Sequence, residues 1–169
     1  NENLKKQSDL LIEQGFAVLL DREFNIWYTG TPDVGKVVMR GSGSVYTVDT
    51  KSTGSYLTAE YKRGYRTASQ VTGYLWGLRE VTGLPYVGAF INAINIKKIP
   101  DSNRRCSDHG VQYSECGLMH AEMELFPVTR TPQQIEAWRV NAIALARRYR
   151  ARLERVRTAA DLPMVPMEG

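Results

Sequence analysis

The chain is poor in the residues that build metal and redox clusters. Its 169 residues include two cysteines, Cys106 and Cys116, and two histidines, His109 and His120. With no Cys-x-x-Cys pair, a zinc ribbon or an iron–sulfur cluster held by this chain alone is not expected. A zinc site of both cysteines and both histidines is conceivable, but the spacings do not match the common zinc motifs. Both cysteines are expected to remain thiols. No apolar run approaches the roughly 18–20 residues that cross a bilayer, so no membrane span is expected. No Gly-x-x-x-x-Gly-Lys-Ser/Thr loop is present, which argues against ATP hydrolysis within the chain. No internal repeat is visible, and no secretory signal is expected.

What remains is an ordinary globular composition: 43% hydrophobic and 24% charged residues, enough for one domain with a real core. The expected domain covers 1–160, with a flexible tail over 161–169 that carries Pro163 and Pro166. The formal net charge of +4 permits binding to a polyanion. The excess is uneven, because Arg139, Arg147, Arg148, Arg150, Arg152, Arg155 and Arg157 crowd one C-terminal segment; the bland reading of that segment is a solvated helix face.

Periodicity gives a coarse order of elements. Leu4–Gln14 reads as a helix stopped by Gly15. Phe16–Leu20, Asn25–Tyr28 and Val34–Arg40 read as strands. After the turn Gly41–Ser44, Val45–Val48 is rich in β-branched and aromatic residues and reads as a central strand ending in Asp49-Thr50-Lys51, followed by a loop over Ser52–Ser55. A helix is expected from about Thr67 to Thr82, with Val71, Tyr74, Leu75, Leu78 and Val81 as its apolar stripe. Tyr86–Ile96 reads as a buried strand, and the polar stretch Lys97–Gly117 as a long loop. Glu122–Val128 reads as an edge strand, because Pro127 lacks a ladder donor. Thr131-Pro132 opens a last helix reaching about Thr158. The fold class expected is α/β (α+β): a central mixed sheet flanked by helices, with one crossover between VYTV and YVGAFINAINI.

Three acid–base residues fall near strand ends. Asp33 follows Gly30-Thr31-Pro32; Asp49 ends VYTV, and Lys51 lies two residues on. In extended chain, residues two apart project to the same side, so Asp49 and Lys51 enter one site while Thr50 turns away and leaves its carbonyl available as a ligand. Two carboxylates and a carbonyl suit Mg²⁺ or Mn²⁺, which prefer oxygen. Such an ion binds a phosphodiester oxygen and lowers the pKa of an attacking water, while a neighbouring lysine positions that water. An isolated Asp-x-Lys is usually an exposed surface pair; its order after a Gly-x-Pro-Asp turn and a hydrophobic strand is what distinguishes this one.

The strings GTPD, VYTVDTK and QVTGY resemble the motif set of the PD-(D/E)xK nucleases, in particular the RecB-like branch that includes phage exonucleases. Gly30–Asp33, Asp49–Lys51 and Gln70–Tyr74 match that branch's Gly-x-x-Asp, Asp-x-Lys and Gln-x-x-x-Tyr in turn, within about Leu4–Ile96. The resemblance implies a restriction-endonuclease-like core of αβββαβ order, with Asp33 and Asp49 as metal ligands and Lys51 as the catalytic lysine. It also places Gln70 and Tyr74, which share a helix face, near the active site and its nucleic acid; the bland alternatives are an exposed Gln70 and a core Tyr74. Members of the branch carry a further acid or histidine ahead of Gly-x-x-Asp. Glu13 on the first helix is the positional candidate and Glu23 the second, though either has a plain structural or solvated reading.

Lys62, Arg63 and Arg66 alternate with Tyr56, Tyr61 and Tyr65 just before the Gln70 helix, a mixture that contacts phosphates and stacks on bases, or else forms a solvated helical turn over packed tyrosines. The resulting expectation is a Mg²⁺- or Mn²⁺-dependent deoxyribonuclease, an exonuclease of recombination, repair or phage DNA processing. The partner expected is DNA, with no membrane and with a homo-oligomer or a larger nuclease complex left open. The resemblance implies a cytoplasmic location in a bacterial or phage-infected cell. The competing readings are a site-specific endonuclease or junction resolvase, a non-catalytic DNA-binding relic of the same core, and a plain structural domain.

Overall fold

The central constraint of the fold is one parallel strand pair that forces a helical crossover. The computed structural model describes residues 12–13, 15–54, 56–96, 105–106, 109–116 and 121–155. Within them, strands β1 (Phe16–Asp21), β2 (Ile26–Gly30), β3 (Val34–Val38) and β4 (Val45–Thr53) are followed by helices α1 (Ala59–Gly64) and α2 (Ser69–Thr82). Then come β5 (Tyr86–Ile96), a short α3 (Tyr113–Cys116), β6 (Ala121–Thr129) and α4 (Pro132–Arg155). β1 and β2 form their own antiparallel hairpin, with Phe16 opposite Gly30. The other four strands make a mixed sheet in the order β3-β4-β5-β6. Only β4 and β5 run parallel, in unbroken register from Tyr46↔Gly88 to Thr53↔Asn95. A parallel pair needs a crossover, and α1 and α2 supply it. The mixed sheet with helices packed on it agrees with the fold class expected from the sequence.

Alternation dictates which side of the sheet meets the helices. In β4, Val45, Thr47 and Asp49 are buried while Thr50 is exposed; in β5, Ala89, Ile91, Ala93 and Asn95 are buried. The register carries that face on to Val128, Phe126 and Glu124 of β6. α2 packs here through Val71, Leu75 and Leu78. Its opposite side is buried as well, because the β1–β2 hairpin and α4 close over it with Phe16, Tyr28 and Trp138. The rings of Tyr28, Trp76 and Trp138 meet in pairs at centroid separations of 5.0–5.9 Å, tilted or edge-on as aromatic quadrupoles favour. Burial lifts the Tyr28 hydroxyl to about pKa 12.

Two glycines make this three-layer contact fit. A Cβ on Gly73 would overlap Tyr28 and Trp138, and one on Gly77 would overlap the Phe16 ring. Arg147 of α4 adds an electrostatic tie by gripping the buried Asp21 carboxylate at 2.5 and 3.2 Å, which holds that carboxyl below its usual range. Arg150 donates to the Phe24 carbonyl, and both guanidiniums lie over the Phe24 ring. Two arginines of the Arg-rich segment thus tie α4 to the hairpin, while Arg148, Arg152 and Arg155 are exposed.

Several boundaries differ from expectation, each for a tertiary reason. Ile12 and Glu13, read as the end of a first helix, are not helical: Ile12 bridges Val34, and Glu13 has φ 49° with its N–H bonded to the Asp33 carbonyl at 3.0 Å. The rest of that expected helix lies outside the described residues, as do Thr158 and the 161–169 tail. β4 runs on to Thr53 because β5 continues to pair with it, so Ser52 and Thr53 are strand rather than loop. β3 stops at Val38, where the turn begins. α1, absent from the expected order, is capped by Thr58, whose hydroxyl accepts the Tyr61 N–H, and buries no residue. Val81 of the expected α2 stripe is 49% exposed, whereas Trp76 is buried because α2 is covered on two sides. β6 is an edge strand, as Pro127 suggested.

Gly77→Ala tests the packing. In an open helix the change stabilises by about 1 kcal/mol; here the methyl meets Phe16, and overpacking costs about 1–3 kcal/mol. Urea unfolding should give a net loss of stability. A gain of the open-helix size would show that α2 is not seated this closely.

Candidate active site

The site begins with Asp49. It stands on the helix-covered face of β4 and is 4% exposed. Lys51, two residues on, shares that face half-buried, and Thr50 projects to the opposite, exposed side, as the strand period requires. Lys51 Nζ lies 2.9 Å from Asp49 Oδ2. Oδ2 is a buried carboxylate oxygen whose contact is this ion pair, with no well-aligned hydrogen bond beside it among the described residues. Burial raises the Asp49 pKa; Lys51 pulls it down, and the Asp33 charge pushes it further up.

Asp33 reaches the same strand from the turn that joins the hairpin to the sheet. Its Oδ2 accepts the Thr50 N–H at 2.5 Å. β3 pairs with β4 only as far as Val34↔Val48, so the β3-side edge of β4 is open beyond that point, and Asp33 satisfies the donor there. In a strand, the N–H and C=O of one residue face the same edge. The Thr50 carbonyl therefore points to the side where Asp33 sits.

Gln70 and Tyr74 meet the same turn from α2. Gln70 Nε2 donates to the Tyr74 hydroxyl at 3.0 Å, and that hydroxyl donates to the Thr31 carbonyl at 3.3 Å. The Tyr74 ring stands edge-on to Phe16 at 6.2 Å. Gln70 is exposed and Tyr74 half-buried, so Tyr74 both packs and bonds. The three short motifs, far apart in sequence, thus converge on the segment 31–33. Glu13 is exposed and neighbours Asp33 through its backbone. Glu23 is elsewhere: it sits at the far turn of the hairpin and pairs with Arg147 at 2.9 Å.

The basic cluster divides. Arg63 and Arg66 are exposed and, with Lys62 and the edge of β6, line a cleft of about 700 Å³. Asp33, Asp49 and Lys51 do not line that cleft. Lys62 is held by Glu124 at 2.7 Å. Tyr65 is half-buried and meets Tyr61 at 5.4 Å and Phe126 at 5.7 Å, both edge-on. Its pKa is raised by burial, by its bond to Tyr61 and by the charge of Asp49, which places it within electrostatic reach of the acidic pair.

Arg130 was not foreseen. It is 7% exposed and donates to Thr72 Oγ1 and the Tyr65 carbonyl at 2.8 Å, and to the Thr129 carbonyl at 2.9 Å. It therefore locks the α1–α2 turn to the end of β6. Its only sequence signal was a lone Arg between an edge strand and a helix cap, which does not separate it from a surface charge. No family model matches the chain, and no curated protein is significantly similar to it.

The buried charge sets a pH dependence. The folded-state pKa of Asp49 is raised, so the unfolded chain releases this proton first. Stability is then lost as pH rises from about 3.9 through the raised value. Asp49→Asn should remove that loss, giving an unfolding midpoint at neutral pH equal to or above the parent's, by roughly 2–4 °C per kcal/mol relieved. The two proteins should converge near pH 4. A markedly lower midpoint for Asp49→Asn would mean that the Lys51 pairing outweighs burial.

Proposed function

We propose that this chain is a divalent-metal-dependent nuclease that hydrolyses phosphodiester bonds of DNA, acting on ends as an exonuclease. The observation that carries the reading is the buried Asp49 carboxylate, ion-paired to Lys51 through Oδ2, with no well-aligned hydrogen bond to that oxygen among the described residues, and adjoining Asp33. Two neighbouring carboxylates, one of them buried, favour an added cation, and a hard divalent ion is the one their oxygens suit.

Asp33, Asp49 and the Thr50 carbonyl would hold Mg²⁺ or Mn²⁺, with Glu13 as the candidate further acid. When bound, the ion supplies Lewis-acid stabilisation of phosphate charge and a more acidic water. Lys51 holds the attacking water and offsets negative charge at the phosphate. Gln70 and Tyr74 fix the 31–33 turn, and so Asp33, while the exposed Gln70 amide orients the nucleic-acid strand. Arg63 and Arg66 contact the phosphate backbone along the cleft beside α1. The preference for ends rests on the motif order shared with the RecB-like branch.

End-labelled linear and closed circular DNA, single- and double-stranded, should be incubated with the protein in Mg²⁺, Mn²⁺ or EDTA. Metal-dependent loss of linear DNA with circles spared is expected, and Lys51→Ala should be slower by about 100–1,000-fold, as for removal of one charge-stabilising donor. Cutting of circles would replace the exonuclease by an endonuclease or junction resolvase. Folded protein that cuts nothing would end the enzymatic reading, leaving a DNA-binding relic or a structural domain.

A binding titration separates positioning from chemistry. Arg63→Ala and Arg66→Ala should each weaken DNA binding without regard to sequence, and each should reduce the slope of log affinity against log salt by about 0.7–0.9. Unchanged slopes would remove the cleft from the DNA path.

A further inference from the structure

A second cluster of ligand-bearing side chains stands in the connection between β5 and β6, apart from the acidic pair. Common zinc spacings are absent from the sequence, yet the structure gathers Cys106, His109 and Cys116 so that one ligand atom of each lies within 4.8 Å of the others. Local backbone geometry does the gathering. The Cys106 N–H donates to the Val111 carbonyl at 2.8 Å and the Gly110 N–H to the Cys106 carbonyl at 2.9 Å. Gly110 takes φ +69°, a left-handed conformation that glycine adopts readily. This turn folds His109 back toward Cys106. Arg105 bridges Gln112, and α3 starts at once, carrying Cys116 to the same point.

Two of the three ligand-atom separations match the edges of a tetrahedral thiolate–imidazole centre. Both sulfurs approach the same ring atom, His109 Nδ1, from Cys106 at 3.6 Å and from Cys116 at 3.5 Å. With Zn–S about 2.3 Å and Zn–N about 2.0–2.1 Å, the S···N edge of a tetrahedron is about 3.6 Å. A metal ion among the three would be bonded by all of them at once. The donor set is soft, unlike the all-oxygen set at Asp49, and selects zinc over magnesium or manganese. Cys106 is 1% exposed and Cys116 and His109 are not buried, so the cluster has a dry side and an open side through which an ion enters.

We infer that Cys106, His109 and Cys116 bind one Zn²⁺, which fastens the β5–β6 connection, with a water or a further ligand in the fourth position. His120 lies outside the described residues and takes no part in the argument. The site stands independently of the nuclease reading, because its readout is metal content rather than cleavage.

The full chain should be purified under reducing conditions, supplied with ZnSO₄, desalted and assayed for metal by atomic absorption. About one zinc per chain is expected. Cys116→Ser and His109→Ala, both at accessible positions, should lose most of it while far-UV circular dichroism stays native. Titration with Co²⁺ should give the intense visible bands of tetrahedral coordination and a near-ultraviolet thiolate-to-metal band, both diminished in Cys116→Ser. Zinc content in the parent no higher than in the two variants would overturn the inference, as would a cobalt spectrum without the thiolate band. A reduced chain that takes up no zinc but closes a Cys106–Cys116 disulfide on oxidation would overturn it too, and would make the cluster a thiol pair instead.

Discussion

The parallel pairing of β4 with β5 governs where everything else can go. Two adjacent parallel strands cannot be joined by a tight turn, and the crossover that joins them must pass over one face of the sheet. That crossover is α1 and α2. Their passage buries the Val45–Thr47–Asp49 face of β4 and sets Gln70 and Tyr74 beside the turn that holds Asp33. Arg130 then fixes the crossover at its bend, with hydrogen bonds to the Tyr65 carbonyl and Thr72 hydroxyl. Neighbouring acids and a lysine on one strand are common; their partial enclosure here follows from topology.

Asp49 shows how such enclosure creates chemical potential. An exposed carboxylate is solvated and needs nothing. Buried beside Lys51, with Asp33 adding like charge, it has one oxygen without a hydrogen bond and a raised pKa. Structural ion pairs usually close such accounts with additional donors. Here Asp33 accepts the Thr50 N–H, and Asp49 Oδ2 has the Lys51 ammonium at 2.9 Å with no further well-aligned donor among the described residues. Carboxylates whose pKa is raised by burial next to a second charge gather at working sites more often than elsewhere.

Much of the sheet was legible because alternation and composition both pointed the same way. Tyr86–Ile96 and the edge position of Glu122–Val128 were read from apolar runs and from Pro127. Asp49 and Lys51 were placed on one face from the strand period alone. What escaped was set by partners distant in sequence. β4 continues past Lys51 only because β5 keeps pairing with it, and Ile12 is extended only because Val34 is opposite. That Tyr65 also packs edge-on to Phe126, sixty-one residues on, has no local sign in the sequence. Arg130 and Glu124 have no local signature, since their meaning lies in which carbonyls and ammonium groups the fold presents to them. The Cys106–His109–Cys116 cluster lacked a familiar spacing because a bridge and a one-turn helix, rather than a regular hairpin, bring its members together.

Gly73 and Gly77 carry a consequence for motion. They seat α2 against Tyr28, Trp138 and Phe16 with no room for a methyl group, so this helix has no slack in which to slide or roll. α1 is its opposite: a six-residue helix with no buried side chain, attached through half-buried Tyr61, the Lys62–Glu124 pair and the Arg130 bonds at its end. On the proposed reading, the wall of the site that carries Gln70 and Tyr74 is the fixed one, and it holds the segment 31–33, and with it Asp33, in one position.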